Sequence, residues 1–327
     1  MPFSVFPFGH RARAPRGGDG AATGAAAAPY PLKFQVGART LVSVERRLQR
    51  VALTLDDALE GRAPPLPLLH RAAHGYAITS LPEGQAAMFA ASCPAMFAYV
   101  RQHYVRRYVD LQGGYERYLE SLSANARSAI RRKARRVAQV SGGTLDVRRF
   151  CTVDELAQFH PIARRLAART YQERLMGAGL PDDAQFLGNM YAAAGQGQCF
   201  GWILSIGGRP AAYLYCSVAN GTVRYDFVGH DPDFAAFSAG AVLQIAALRQ
   251  LFDDGCYRRF DFTEGDGQHK RQFATGGVAC VDMLLLRRTA ANRATTLALA
   301  GFDRAVKLAK RVTDYLGMNR VARRLRR

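Results

Sequence analysis

Apolar residues recur at every second position in some stretches and every third or fourth in others, and from residue 144 onward the two periods follow one another in order. LDVRRF (145–150) has strand spacing, and VDELAQFHPIARRLAART (153–170) has helical spacing that Pro161 interrupts or kinks. DDAQFLGNMYAAA (182–194) predicts a second helix with acidic residues at its start. Three alternating runs follow, CFGWILSI, PAAYLYCSV and TVRYDFVGH. The connectors GGRP and ANGT supply residues tolerant of positive φ, which predicts an antiparallel meander. SAGAVLQIAALRQLFDDG (238–255) predicts an amphipathic helix with a serine start and a glycine stop. RRFDFT reads as a strand, GDGQHKRQFA as a short helix and ACVDMLLLRR as a last strand before a basic helical tail. The predicted order is β-α-α-β-β-β-α-β-α-β.

Upstream the pattern is less regular. Residues 1–31 read as a flexible Gly/Ala/Pro arm without the ordered regions of a secretory leader. Residues 32–122 are a mixed α/β region, with strands at RTLVSVE, YAITSL and RRYVDL and a Pro-rich break at APPLPL. The residues leave open whether this half is a degenerate second copy of the later unit. GYERYLESL predicts a helix, and SANARSAIRRKARRVAQV a second, which SGG at 141–143 ends. The expected domains are thus 1–31, 32–122, a main unit over 123–287 with that basic helix at its start, and a basic tail over 288–327.

The composition, 49% apolar over 327 residues, provides a real core and excludes a disordered chain. No apolar run approaches the roughly 20 residues of a membrane span, so a cytoplasmic protein is expected. The six cysteines stand singly, without CxxC or metal spacing, which predicts reduced thiols and no metal site. The net charge of +19 is local: residues 127–149 carry +7 and residues 287–327 carry +10. Such patches favour polyanions: phosphates, nucleic acid, acidic glycans or an anionic membrane surface, the last suited to 288–327.

Two aspartates sit where buried strands are expected, Asp226 in RYDFVGHD and Asp261 in FDFTEGD. A carboxylate taken out of water costs several kcal/mol, roughly, unless paired or protonated. By strand alternation both share a face with Arg224, His230, Arg259 and Thr263, while Tyr225, Phe227, Phe260 and Phe262 face the other way. Each aspartate either pairs with Arg224 or Arg259 to order the sheet, or serves with Glu264 and His230 to deprotonate an amine or hydroxyl. As general base the order is Asp261, then Glu264, then His230. Arg127, Arg131 and Arg135 recur at four-residue spacing along the basic helix, either solvated or clamping a phosphate or acceptor.

The segments SANARSAIRRKARR (123–136), VRYDFVGHDPDFAAFSAGAVL (223–243) and FDFTEGDGQHKRQF (260–273) together resemble the GNAT acyltransferase superfamily. More narrowly they look like its CelD-like (BioF2-like) branch of polysaccharide-biosynthesis acetyltransferases, related to the Fem-type aminoacyl transferases. The resemblance spans roughly residues 104–287. It implies a mixed α/β (α+β) fold with a largely antiparallel sheet flanked by helices. It further implies that TVRYDFVGH and RRFDFT splay apart to admit the pantetheine arm of acyl-CoA, acetyl-CoA in the first instance. The pyrophosphate is then expected at Ser238, Ala239, Gly240 and Ala241, where free N–H groups and the helix dipole favour an anion. Aligned on Gly240, Ala235 and Ser238 stand at the first two landmarks of the family's Arg/Gln-x-x-Gly-x-Gly/Ala loop. Backbone N–H groups at Val228 and Gly229 are implied to polarise the thioester carbonyl. His269 and Lys270 resemble the branch's aromatic-Lys pair, with histidine in place of tyrosine, and Lys270 either binds a phosphate or acidic substrate or is a solvated charge.

The leading expectation is therefore acyl transfer from acyl-CoA to an amine or hydroxyl of a sugar- or lipid-linked precursor in exopolysaccharide or cell-envelope synthesis. A Fem-like transferase using charged tRNA gives the basic patches a purpose, and a non-catalytic fold that binds polyanions or a membrane is the third class.

Overall fold

In the computed structural model the described residues are 27–36, 39–63, 65–170, 179–265 and 267–315. Along the chain they form β1 (Ala28–Val36), β2 (Arg39–Ala52), α1 (Leu55–Leu59), β3 (Gly75–Pro82), α2 (Ala86–Ala91) and β4 (Met96–Asp110). Next come α3 (Tyr115–Ser121), α4 (Ala124–Val140), β5 (Asp146–Phe150), α5 (Val153–Arg169), α6 (Ala184–Gly195), β6 (Cys199–Ile206), β7 (Arg209–Ala219) and β8 (Thr222–His230). The last elements are α7 (Ala239–Asp254), β9 (Arg259–Asp261), α8 (Gln268–Phe273), β10 (Gly276–Arg287) and α9 (Ala290–Tyr315). The chain folds into two compact units, one of residues 105–278 and the other of described residues up to 104 together with those from 279 onward. The fold is mixed α/β, its sheets mostly antiparallel and flanked by helices.

In the unit of residues 105–278 the strand order is β4-β9-β8-β7-β6-β5. The meander β5-β6-β7-β8 is antiparallel throughout, as the turn residues require; Gly207, Gly208, Asn220 and Gly221 all have positive φ. β8 and β9 run parallel, with α7 as the crossover between them. Two apolar layers cover the sheet. On one face Phe159, Leu166 and Phe186 of α5 and α6 pack on Ile203, Tyr213 and Tyr215; on the other Leu243, Leu248 and Leu251 of α7 pack on Trp202, Leu214 and Cys216. Helix α5 opens with a capping box between Thr152 and Glu155 and runs on through Pro161, so the expected interruption does not break it. Gly201 is forced by packing: a Cβ there would lie 2.7 Å from the Phe159 ring.

In the other unit β1 pairs antiparallel with β2, β2 parallel with β3, and β3 antiparallel with β10. Val281, Met283 and Leu285 of β10 pack with Ile78 and Leu81, while Leu284 and Leu286 on the opposite face meet Leu32, Leu48 and Leu299 of α9. Residues 28–31, read in sequence as the end of an arm, are the first residues of β1, and residues 1–26 lie outside the described residues. Helix α9 is anchored by Leu299, buried in this unit's core, and by the edge contact of Phe302 with Phe34, whereas Leu297, Leu308 and Val312 are exposed. Among the described residues no helix is long and apolar enough to cross a membrane.

Candidate active site

The edge between β8 and β9 is where the sheet opens. The two strands pair over only three positions, Thr222↔Arg259, Val223↔Phe260 and Arg224↔Asp261. β8 continues to His230 with β7 as its partner, while β9 ends at Asp261 and Thr263 takes a left-handed φ of +61° that turns the chain away. Because strand N–H and C=O groups point alternately to the two sides, alternate residues of β8 beyond Asp226 direct theirs toward the vacated β9 side.

Asp226 sits at a β-bulge. The register slips so that Tyr215 faces Phe227 while Cys216 faces Tyr225, leaving Asp226 as the extra residue. The slip reverses the face of everything after it. Tyr225 packs on Phe260 and Phe262, each with ring centroids at 5.8 Å, but Phe227 lies on the other side of the sheet against Phe186 at 5.8 Å. Strict alternation, which placed Tyr225 and Phe227 together and Asp226 with His230, is thus corrected: a period of two cannot survive an inserted residue.

The carboxylates are all engaged, each differently. Asp261, 2% exposed, accepts from Arg106 of β4 through Nη2 at 2.6 Å and Nε at 3.2 Å, and from the Thr263 N–H at 2.8 Å. Arg106 is itself 2% exposed, so this is a buried bidentate pair, and the partner of Asp261 is Arg106 and not Arg259. Asp226 accepts from the N–H and hydroxyl of Ser217 at 2.8 and 2.6 Å and pairs with Arg224 at 3.2 Å. Burial raises its pKa, opposed by Arg224 and Ser217. Glu264 lies 3.8 Å from Arg224; burial would raise its pKa, but Arg224 and Arg106 outweigh this and pull it down to about 2. Lys270 is not a solvated charge: it is 1% exposed, and Nζ donates to the Glu264 carbonyl at 2.6 Å. Beside it, burial and the Lys270 charge lower His269 to about 4.

At the far end of β8 a 3-10 turn, Pro232–Phe237, leads into α7. Ser238 has a left-handed φ of +53°, which leaves its hydroxyl out of the cap; the serine start predicted for this helix provides no side-chain cap. The first intrahelical bonds come from Ala241 and Val242 to the Ser238 carbonyl, so the N–H groups of Ala239 and Gly240 lie ahead of that ladder. Among the described residues a Cβ added at Gly240 meets only His230 Nδ1 within 4 Å, at 3.9 Å. The helix start is therefore roomy and donor-rich, and fits a phosphate group. Arg136 of α4 reaches this turn, donating to the Ala236 carbonyl at 3.3 Å. His230 is exposed; desolvation lowers its pKa, against the opposing pull of Asp231.

The site residues expected from sequence therefore fall into groups. Arg224, Asp226, Asp261, Glu264 and Lys270 gather around the end of the β8-β9 ladder. His230 and Gly240 lie together at the start of α7, with Val228 and Gly229 on the strand between. Gly229 admits no side chain, since a Cβ would lie 2.4 Å from the Tyr213 ring. Arg127 and Arg131 edge a cavity of about 540 Å³ between α3, α4, β5, α7 and α8, which Ala241 also lines and Arg135 does not. Arg127 is also structural, donating to the carbonyls of Glu120 and Leu122 at the end of α3. Sequence reasoning missed Arg106, because nothing in RRYVDL marks which arginine turns inward and its partner is 155 residues away. Among the described residues no three His, Cys, Asp or Glu side chains are placed to hold a metal ion, and all six cysteines are free.

Residues 124–271, just under half of the chain, match the family described as "Acetyltransferase (GNAT) domain". Solved structures similar to the chain include the C-terminal domain of a putative lysylphosphatidylglycerol synthetase from Agrobacterium fabrum, with 12% identity and a TM-score of 0.47, covering 69% of this chain and 72% of that one. FemX aligns with 10% identity and a TM-score of 0.47 over 80% of this chain and 88% of its own. A tandem GNAT protein from the clavulanic acid biosynthesis pathway aligns with 16% identity and a TM-score of 0.40 over 65% of this chain and 64% of its own. No curated protein matches the chain.

Proposed function

We propose that the unit of residues 105–278 is an acyltransferase that moves an acyl group, acetyl in the leading case, from acyl-CoA to an amine or hydroxyl of a sugar- or lipid-linked precursor. The observation that carries this reading is the ladder that ends at Arg224↔Asp261, followed on the same strand by the uncapped start of α7, inside a segment that matches a GNAT domain. Acyl-CoA, when bound, supplies the activated acyl group. The residues 238–241 hold its phosphates by backbone N–H groups and the helix dipole. Alternate N–H groups of β8 near Val228 and Gly229 face the opening and polarise the acyl carbonyl.

For the proton we favour a different carboxylate from the one ranked first in sequence. Asp261 is spent on Arg106, and Glu264, held near 2, is a weak base at neutral pH. Asp226 stands at the bulge where the strands part, and burial raises its affinity for a proton. We therefore assign Asp226 as the base that takes the proton of the attacking amine or hydroxyl. Arg224 orients it, as does Ser217. Titration calorimetry with acetyl-CoA tests the reading: saturable binding by the unaltered chain, lost in Gly240→Trp, is expected, and no heat of binding to the unaltered chain refutes it.

A further inference from the structure

Helix α7 buries one polar side chain among apolar neighbours. Gln244 is 2% exposed, and among the described residues its side-chain Nε2 has no hydrogen-bond partner. Around it on the same helical face are Gly240, Ala247, Leu248 and Leu251, the last three fully buried in the core beneath the sheet. A leucine in that place would complete the layer. An amide there leaves a donor dry, which is destabilising and calls for a partner that the described residues do not supply.

The position indicates the partner. Gln244 lies one turn after Gly240, and helical side chains lean toward the N-terminus of their helix. Its amide therefore leans toward the start of α7, where Gly240 approaches His230 at the end of β8. That is the end of the molecule at which β8 has lost β9 as a neighbour. The uncapped helix start and the orphaned amide are independent observations, and both ask for acceptor oxygen. Phosphate oxygens suit the first; a neutral amide suits an uncharged carbonyl.

We infer that Gln244 is a positioning residue for the donor, its Nε2 donating to a carbonyl of the pantetheine arm once the phosphates are held at residues 238–241. This rests on the proposed acyl-CoA reading and adds to it a polar contact inside the crevice. It also explains why an otherwise apolar helix face keeps a glutamine: the stability forgone in the empty protein returns as discrimination for a ligand with a carbonyl at that depth.

The test separates stability from affinity. In Gln244→Leu the dry amide is gone, so the melting temperature of the ligand-free protein is expected to rise by about 2–4 °C. Acetyl-CoA binding is expected to weaken about tenfold, as for one lost hydrogen bond, while binding of adenosine 3′,5′-bisphosphate, which lacks the pantetheine arm, stays unchanged. Gln244→Met serves as a second variant of closer shape. Unchanged acetyl-CoA affinity in both variants overturns the inference and leaves the acyl-CoA reading intact. Lower ligand-free stability in both overturns it as well, by showing that the amide is satisfied. Failure of the unaltered chain to bind acetyl-CoA removes both readings together.

Discussion

Replacing Arg106 by methionine tests the pairing at the root of the site. The change keeps most of the side-chain volume and deletes the charge opposite Asp261, both groups being almost wholly out of solvent at 3% and 2% side-chain exposure. Removing one partner of a buried pair costs about 3–5 kcal/mol, since the remaining carboxylate stays desolvated. Asp261 retains one donor, the Thr263 N–H at 2.8 Å, so the low end of that range, about 3 kcal/mol, is expected. The chain has a single tryptophan, and Trp202 is fully buried in the unit that holds the pair, so its fluorescence during urea unfolding reports on that unit. With a slope of about 2–3 kcal/mol/M the midpoint falls by roughly 1 M. Adding Asp261→Leu to Arg106→Met removes the stranded charge and should restore at least half of the loss. A single-variant loss under about 1 kcal/mol, or a double variant no better than the single, refutes the argument that this pair fixes the end of the ladder.

Two further outcomes follow from the geometry. His269 has a folded-state pKa of about 4 against an ordinary 6.5, because burial and Lys270 disfavour its charged form. Between those values the unfolded chain holds the extra proton, so stability falls as pH drops through 6.5 toward 4. In His269→Tyr the urea midpoint should decline less steeply over that interval, and an identical pH profile would falsify the assignment. Gly229→Ala places a Cβ at 2.4 Å from the Tyr213 ring, an overpacking expected to destabilise by about 1–3 kcal/mol in the same fluorescence assay; an unchanged midpoint speaks against the close packing.

Much of the fold was legible in the chain because it is written in local periods. The meander, the helix at 238–255 and the acidic strands follow from alternation, from glycine and asparagine at the turns, and from a glycine stop at Gly255 with φ of +64°. The helix start at Ser238-Ala239-Gly240 was likewise readable, though not the left-handed φ of +53° that takes the Ser238 hydroxyl out of the cap. Three things were decided only by tertiary structure. The bulge at Asp226 sends Phe227 to the opposite face from Tyr225, and an inserted residue is visible only against the strand it fails to pair with. Asp261 takes its cation from Arg106, 155 residues away, because sheet pairing joins segments by shape and burial and not by sequence distance. Gln244 reads as one polar position in an amphipathic helix until the sheet closes over it; only the assembled core shows that its amide Nε2 is left without a partner among the described residues.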